Sequence, residues 1–83
     1  MIAIIIPTYN EDENILKLIN KIFNIPLKVK IIVVDDSEKP LSKIAKIKNV
    51  KFIHRGKKLG RGSAVLVGVK KALKDKNNKI IIE

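Results

Sequence analysis

The sequence predicts an α/β fold built on a parallel sheet. Apolar runs of strand length alternate along the chain with segments of helical periodicity. The strand runs are apolar at successive positions instead of every second one, as in strands whose two faces are both covered. Proline, glycine and asparagine residues separate the elements. The resulting order, β-α-β-α-β-α-β, implies parallel strands joined by right-handed crossovers.

The first strand and helix have clear local signals. Residues 1–7 are nearly all apolar and include four isoleucines, which predicts a buried strand. Asn10 followed by Glu13 has the spacing of a helix-capping pair. Apolar residues then recur at helical spacing, and Pro26 ends the helix; these residues are Ile15, Leu16, Leu18, Ile19, Ile22 and Phe23.

The remaining elements follow the same alternation. A second buried strand is predicted over 30–35, a third over 50–54 and a fourth over 79–83. Pro40 can open a short helix whose apolar side is formed by Leu41, Ile44, Ala45 and Ile47. A loop marked by Gly56, Gly60 and Gly62 precedes a helix over about 61–74.

Length and composition limit the possible classes of protein. The chain has 83 residues, so we expect one domain over 1–83. A hydrophobic content of 46% argues against a disordered segment, and no apolar run approaches the roughly 20 residues that span a bilayer. The absence of cysteine excludes disulfides and thiolate metal sites, and a cytoplasmic protein is the simplest expectation.

The net charge of +10 has two interpretations. It is compatible with a phosphate, nucleic-acid or anionic-lipid partner, but a chain with 16 lysines and 16 isoleucines also has a compositional bias. The acids are less evenly distributed, because six of the eight directly follow the first two predicted strands. This placement indicates a site at those strand ends, although acids after the first strand also complement a helix N-terminus.

The glycine loop does not match either familiar phosphate-binding pattern. In a P-loop the position five residues after Gly56 would be glycine, and here it is Arg61. The dinucleotide fingerprint would need a third glycine where this chain has Val65. The Asp35-Asp36 pair also follows the second strand, which disfavours a receiver domain because those place the acid pair after the first strand.

Three further candidates come from single residues or small clusters. His54 is the one histidine, and a lone histidine beside a strand end is usually structural or solvated. Ser63 lacks an elbow motif around it and is a poor candidate nucleophile. Lys57, Lys58 and Arg61 lie next to a predicted helix start, where they could hold a phosphate or could simply be solvated.

Three motifs together resemble a known family. They are Pro7-Thr8-Tyr9-Asn10-Glu11, then Val33-Val34-Asp35-Asp36-Ser37, then a segment from Arg55 that continues with Lys58-Leu59-Gly60, Gly62-Ser63-Ala64 and Gly68. In this order and spacing they are similar to the family-2 glycosyltransferases. The resemblance is closest to dolichyl-phosphate mannose synthases and related polyprenyl-phosphate sugar transferases, and it covers essentially the whole chain.

The resemblance implies a fold and a set of site residues. The expected fold is the N-terminal half of a GT-A nucleotide-diphospho-sugar transferase, a three-layer, Rossmann-like domain. The segment from Pro7 to Glu11 would lie along the base and ribose, Asp36 would bond the base edge, and the loop after Arg55 would close the far side. The expected nucleotide-binding residues are Pro7, Thr8, Tyr9, Glu11, Asp35, Asp36, Lys58 and Gly60.

The chain also departs from the family pattern. Ser37-Glu38-Lys39-Pro40 replaces the usual continuation after the acid pair, and the connection there is shortened. The family's metal-binding Asp-x-Asp would begin one residue after Glu83, so the resemblance implies Mg²⁺ or Mn²⁺ for full-length members and no metal or catalytic residue within this chain. We therefore expect a truncated nucleotide-sugar-binding domain that is inactive by itself.

The partners expected from the resemblance are a GDP- or UDP-sugar and, in full-length members, a membrane polyprenyl phosphate. One alternative is a small basic nucleic-acid-binding domain, which would show steep salt dependence; a chain with three aromatic residues does not favour it, and no nucleic-acid partner is expected. Another alternative is an α/β interaction domain with no ligand. An uncovered fourth strand also predicts self-association.

Overall fold

The computed structural model describes residues 2–10, 12–39, 44, 46–74 and 79–82. This part of the chain forms four strands and two helices. Their bounds are β1 (Ile2–Thr8), α1 (Asp12–Phe23), β2 (Val29–Asp35), β3 (Val50–His54), α2 (Arg61–Ala72) and β4 (Lys79–Ile82). The short helix predicted after Pro40 lies largely outside the described residues.

The strands form one parallel sheet in the order β3-β2-β1-β4. From β1 the chain proceeds through α1 to β2 and β3 on one side, and then through α2 to β4 on the other side. The direction of winding therefore reverses at β1. In open α/β sheets such a reversal places the ligand crevice at the carboxyl ends of the central strands.

The two faces of the sheet pack into separate cores. On one face the strands contact α1, and the buried residues there are Ile4, Ile6, Ile15, Ile19, Ile22, Ile31, Val33 and Ile44. On the other face the strands contact α2, and the buried residues are Ala3, Ile5, Ile32, Val34, Ala64 and Ala72. Successive residues of β1 and β2 thus point into opposite cores, which explains why these strands are apolar at every position.

Small residues allow α2 to lie close to β1. Gly68 is buried at the contact, and a Cβ atom there would overlap the side chain of Ile5. Ala64 and Ala72 lie one turn away on either side and are also buried. The helix ends at Ala72, two residues before the predicted end at 74, while β1 continues through Thr8 instead of ending at Pro7.

Strand register brings three polar residues into one row at the carboxyl edge of the sheet. Thr8 of β1 pairs with Asp35 of β2, and Asp35 pairs in turn with His54 of β3. The backbone N–H of Asp36 donates to the Thr8 carbonyl at 3.0 Å, and that of Arg55 donates to the Asp35 carbonyl at 2.8 Å. These two bonds continue the pairing of the sheet for one residue beyond the ends of β2 and β3.

Candidate functional site

Asp35 lies inside a network that ties the ends of β2 and β3 to the residues after β1. It is fully buried, and one carboxylate oxygen accepts hydrogen bonds from the Ser37 backbone N–H at 3.0 Å and the Ser37 hydroxyl at 2.6 Å. The other oxygen lies 3.1 Å from Nδ1 of His54. The Asn10 N–H donates to the Ser37 hydroxyl at 2.7 Å. In a catalytic triad the histidine lies between the serine and the carboxylate. Here the carboxylate lies between the serine and the histidine, so these residues do not form a catalytic triad.

Asp36 has a different environment, dominated by a two-point contact with Arg55. The Arg55 Nε and NH2 groups donate to the two carboxylate oxygens at 2.6 and 2.8 Å, and the Leu59 N–H adds a bond of 3.1 Å. Hydrogen bonding from Arg55 is the main reason why the pKa of Asp36 lies below its ordinary value, and it outweighs the opposing effect of burial. Asp36 is therefore ionised at neutral pH.

Arg55 also reaches the glycine loop and the first turn of α2. Its NH1 group donates to the Ser63 hydroxyl at 2.7 Å, and NH2 lies 3.3 Å from the Gly60 carbonyl. The guanidinium is thus connected to the end of β2, to the loop and to the helix start. A planar group with several fixed donors can make these contacts together, whereas a lysine ammonium is a single point charge.

A cleft of about 200 Å³ lies over the carboxyl ends of β1 and β2. Tyr9 forms one wall, 39% exposed, and the Lys58 ammonium lies 5.2 Å from the centre of its ring, a cation–π contact. The lining residues are Pro7, Thr8, Tyr9, Asp36, Lys58, Gly60, Arg61 and Ala64. The cleft therefore combines an aromatic face, a carboxylate and two cations.

The start of α2 borders the cleft and presents an environment that favours a negatively charged group. No side chain caps this end by a hydrogen bond, and no acidic residue occurs in the first turn. Gly60 precedes the helix with φ of 96°, a left-handed backbone conformation that favours glycine. Helix N-termini attract anions because their first N–H groups point outward.

Thr8 has a polar atom without a protein partner at the bottom of the cleft. The residue is 5% exposed, and its hydroxyl oxygen is buried with no hydrogen-bond partner among the described residues. A buried hydroxyl left in this state typically costs about 1–3 kcal/mol. A ligand or a water that bonds to this hydroxyl would remove that cost.

Comparison with known proteins identifies the family. Residues 3–82 match the family described as glycosyl transferase family 2. The chain belongs to glycosyl transferase family 2. It is 40% identical over 81 aligned residues to a dolichol-phosphate mannosyltransferase of Pyrococcus furiosus. That alignment covers 89% of this chain and 23% of the relative, so the chain spans less than a quarter of the relative's length. No solved structure matches the chain.

The family and the structure together confirm two sequence predictions. Membership in family 2 confirms the resemblance of the three motifs. The parallel four-stranded sheet with helices on both faces confirms the α/β fold and agrees with the N-terminal part of a GT-A domain. Within the described residues, no helix is long and apolar enough to cross a bilayer.

The structure brings together most of the residues that the family-2 resemblance implicates. Six of the eight line the cleft: Pro7, Thr8, Tyr9, Asp36, Lys58 and Gly60. Asp35 lies in the buried network with Ser37 and His54 and is not among the lining residues. Glu11 falls outside the described residues, so its predicted nucleotide contact stays a prediction.

A divalent metal does not fit the described acids of this family-2 domain. Within the described part of the chain, no group of three or more His, Asp or Glu residues could hold a metal ion. Asp35 is fully buried with both oxygens in internal contacts, and the oxygens of Asp36 are bonded to Arg55. The Mg²⁺ or Mn²⁺ expected for full-length family members stays a prediction.

A larger depression of about 620 Å³ lies at the opposite edge of the sheet, near the amino ends of β2 and β3. Its lining residues are Phe23, Leu27, Lys28, Val29, Lys30, Asn49, Val50 and Lys51, none of them a predicted site residue. We assign the site to the smaller cleft because polar groups converge there and because ligands of open α/β sheets bind beyond the carboxyl ends of strands.

Sequence reasoning missed how four polar residues connect the site. Arg55 was noted as part of a motif but not as a partner of Asp36, and His54, Ser37 and Ser63 were not assigned to any contact. The predicted strand order did contain an indication of these contacts. Asp35 and His54 close two predicted strands that are neighbours in the parallel sheet, so the residues that follow them are also neighbours.

Proposed function

We propose that this chain forms the donor-binding part of a glycosyltransferase and binds the nucleotide diphosphate of a GDP- or UDP-sugar. The observation that carries this proposal is the convergence of Tyr9, Asp36 and Lys58 on one cleft at the carboxyl edge of the sheet. An aromatic face, an ionised acceptor and cations beside a helix N-terminus are the groups that a base and its phosphates require.

Each part of the donor has a matching group in this proposal. The ring of Tyr9 offers a flat contact to the base, and the Asp36 carboxylate accepts an N–H from the base edge. Lys58, Arg61 and the start of α2 provide positive potential for the diphosphate. Ligand sites commonly measure about 300–1,000 Å³, so a cleft of about 200 Å³ holds the nucleoside while the phosphates extend along α2.

For the longer enzyme we propose transfer of the sugar to a polyprenyl phosphate or a related acceptor. Support comes from the relative of Pyrococcus furiosus, which is named a dolichol-phosphate mannosyltransferase.

We further propose that the 83 residues bind the donor but do not transfer the sugar. The carboxylates of Asp35 and Asp36 are already engaged by protein groups, so they are poorly suited to neutralise a leaving diphosphate through a metal. The cytoplasmic location stays a prediction.

Calorimetric titration of the 83-residue chain with GDP and with UDP tests the proposed binding. We expect saturable binding of at least one nucleotide. Tyr9→Ala should weaken it about 5- to 150-fold, since stacking of a base on an aromatic ring contributes about 1–3 kcal/mol. Leu27→Ala is the matched control, because Leu27 is also exposed but lies at the opposite edge of the sheet.

Two outcomes would contradict the proposal. The absence of a saturable signal from either nucleotide at about 5 mM would exclude useful affinity. Tight binding of DNA or RNA that falls steeply with salt, without response to Tyr9→Ala, would favour the nucleic-acid alternative. The second part of the proposal is tested by incubating the chain with a mannosyl nucleotide and a polyprenyl phosphate, where any product above the blank would contradict inactivity.

A further inference from the structure

Arg55 borders the proposed donor site without lining it. Its side chain is 11% exposed, and it is not among the residues that form the walls of the cleft. It nevertheless contacts two features that do form walls, the Asp36 carboxylate and the carbonyl of Gly60. Any influence of Arg55 on a ligand is therefore exerted through these neighbours.

The first consequence concerns the acceptor positions of Asp36. A carboxylate offers about four lone-pair positions on its two oxygens. The two-point contact with Arg55 and the Leu59 N–H occupy three of them. Gly60 contributes a further backbone hydrogen bond that lowers the pKa of this carboxyl group. The carboxylate is therefore held ionised and in one orientation beside the cleft.

The second consequence concerns the loop that forms the other wall of the cleft. Bonds from Leu59 to Asp36 and from Arg55 to the Gly60 carbonyl and the Ser63 hydroxyl hold the loop against β2 and α2. Lys58 is the neighbour of Leu59 in the chain, and its ammonium lies over the Tyr9 ring. The position of the loop therefore sets the distance between the aromatic wall and the cationic wall.

We infer that Arg55 is a positioning residue of the donor site: its guanidinium fixes the orientation of the Asp36 carboxylate at the cleft and holds the glycine loop at the opposite wall. This inference rests on the proposed function, because it assigns Arg55 a role in the same cleft. It goes further in stating that a residue outside the cleft determines the affinity for the nucleotide and its dependence on pH.

The test compares nucleotide binding by Arg55→Met, Arg55→Lys and the unchanged chain, with GDP and UDP as probes. We expect Arg55→Met to weaken binding at least about tenfold at pH 7, the scale of a charge-assisted hydrogen bond. Arg55→Lys should recover only part of this loss, because an ammonium does not reproduce the fork of the guanidinium. Lys17→Met, which removes a cation from the exposed face of α1, should bind like the unchanged chain.

The pH dependence of nucleotide affinity distinguishes a positioning role of Arg55 from a general contribution to the stability of the fold. The groups around Asp36 that carry charge or titrate are Tyr9, Asp35, His54, Arg55, Lys58 and Arg61. With Arg55 present, the lowered pKa keeps Asp36 ionised further into the acid range, and protonation of the nucleotide phosphate affects all variants alike, so the informative quantity is the difference in pH profile between variants. Loss of Arg55 removes the main cause of the lowered pKa, while burial, which raises the pKa, and the backbone hydrogen bonds of Leu59 and Gly60, which lower it, remain. The pKa of Asp36 should therefore rise, and Arg55→Met should begin to lose affinity at a higher pH than the unchanged chain.

The possible outcomes distinguish this inference from the proposed function. If the unchanged chain binds neither nucleotide, the proposed function is wrong. If it binds a nucleotide and Arg55→Met binds equally well with the same pH profile, the role of Arg55 is wrong while the proposed function stands. Circular dichroism establishes whether each variant is folded, and if Arg55→Met is unfolded, Arg55→Lys provides the same comparison of affinity and pH profile.

Discussion

Two adjacent aspartates at the end of β2 show how strongly the surroundings determine the role of a residue. Asp35 points into the protein and bonds to Ser37 and His54, which joins the ends of two strands. Asp36, one position later, points to the other side, bonds to Arg55 and lines the cleft. The first carboxylate therefore joins two strand ends, while the second faces the cleft that the proposed function assigns to the nucleotide.

The ion pair of Asp36 makes a prediction about stability in acid. A carboxyl group whose pKa is lowered on folding contributes stability that is present above its unfolded pKa and lost as the pH falls through the folded pKa. We expect Asp36→Asn to lower the free energy of unfolding by about 1–3 kcal/mol at pH 7, because the Arg55 guanidinium loses its charged partner.

Urea unfolding at several pH values measures this effect. The difference between the unchanged chain and Asp36→Asn should shrink as the pH falls from about 5 to 3, since the carboxyl group becomes neutral in both states. Glu13→Gln is the control, because Glu13 is an exposed carboxylate of α1. A constant difference across this range would contradict the assigned ion pair.

At the scale of elements, the contact between α2 and β1 determines the position of the glycine loop. The helix rests on the central strand through small residues, Ala64, Gly68 and Ala72. Because the loop leads directly into this helix, the close approach also places Gly60 and Arg61 beside the strand end that carries Thr8. The packing of one helix thereby determines the width of the cleft.

Two glycines of α2 provide a matched test of this packing. Gly68→Ala should destabilise the chain by about 1–3 kcal/mol, since the added methyl group would overlap the Ile5 side chain. Gly62→Ala should be neutral or stabilising by up to about 1 kcal/mol, because open space surrounds that position and alanine favours helix. Thermal unfolding measures both, and equal midpoints for the two variants would contradict the close contact.

At the scale of the whole molecule, charge and exposed apolar surface are unevenly distributed. Asp36 lines the cleft together with Lys58. Other lysines lie close to one another away from the cleft, and repulsion from Lys51, then from Lys74, lowers the pKa of Lys71. In β4 the side chains of Ile81 and Ile82 are about half exposed, at 49% and 51%. Among the described strands, β4 pairs with β1 and with no other.

This open strand predicts self-association of the 83-residue chain in solution. Sedimentation velocity between about 10 and 500 μM should show a coefficient that rises with concentration, as expected for weak pairing of exposed edges. Ile82→Lys should reduce the rise, because charged side chains disfavour pairing of strand edges. Leu66→Lys, a change at an equally exposed position of α2, should not. A concentration-independent monomer would contradict the prediction.

Much of the fold could be predicted from short segments of the sequence. The uninterrupted isoleucines and valines of β1 and β2, together with the helical spacing in α1, determined an α/β fold with strands buried on both faces. Motif order indicated the family, and the acids after two strands indicated the edge of the sheet where the polar side chains converge. These are properties of short segments, so the sequence by itself contains them.

Tertiary structure decided how the site is connected. Asp36 bonds to Arg55 across 19 residues of chain, and Leu59 bonds to Asp36 across 23. Such contacts depend on strand order, register and the side to which each residue points, and no local propensity specifies them. The sequence therefore determined which residues gather at the carboxyl edge, while only the packed sheet decided that Asp35 is buried, that Asp36 faces the cleft and that Arg55 joins its two walls.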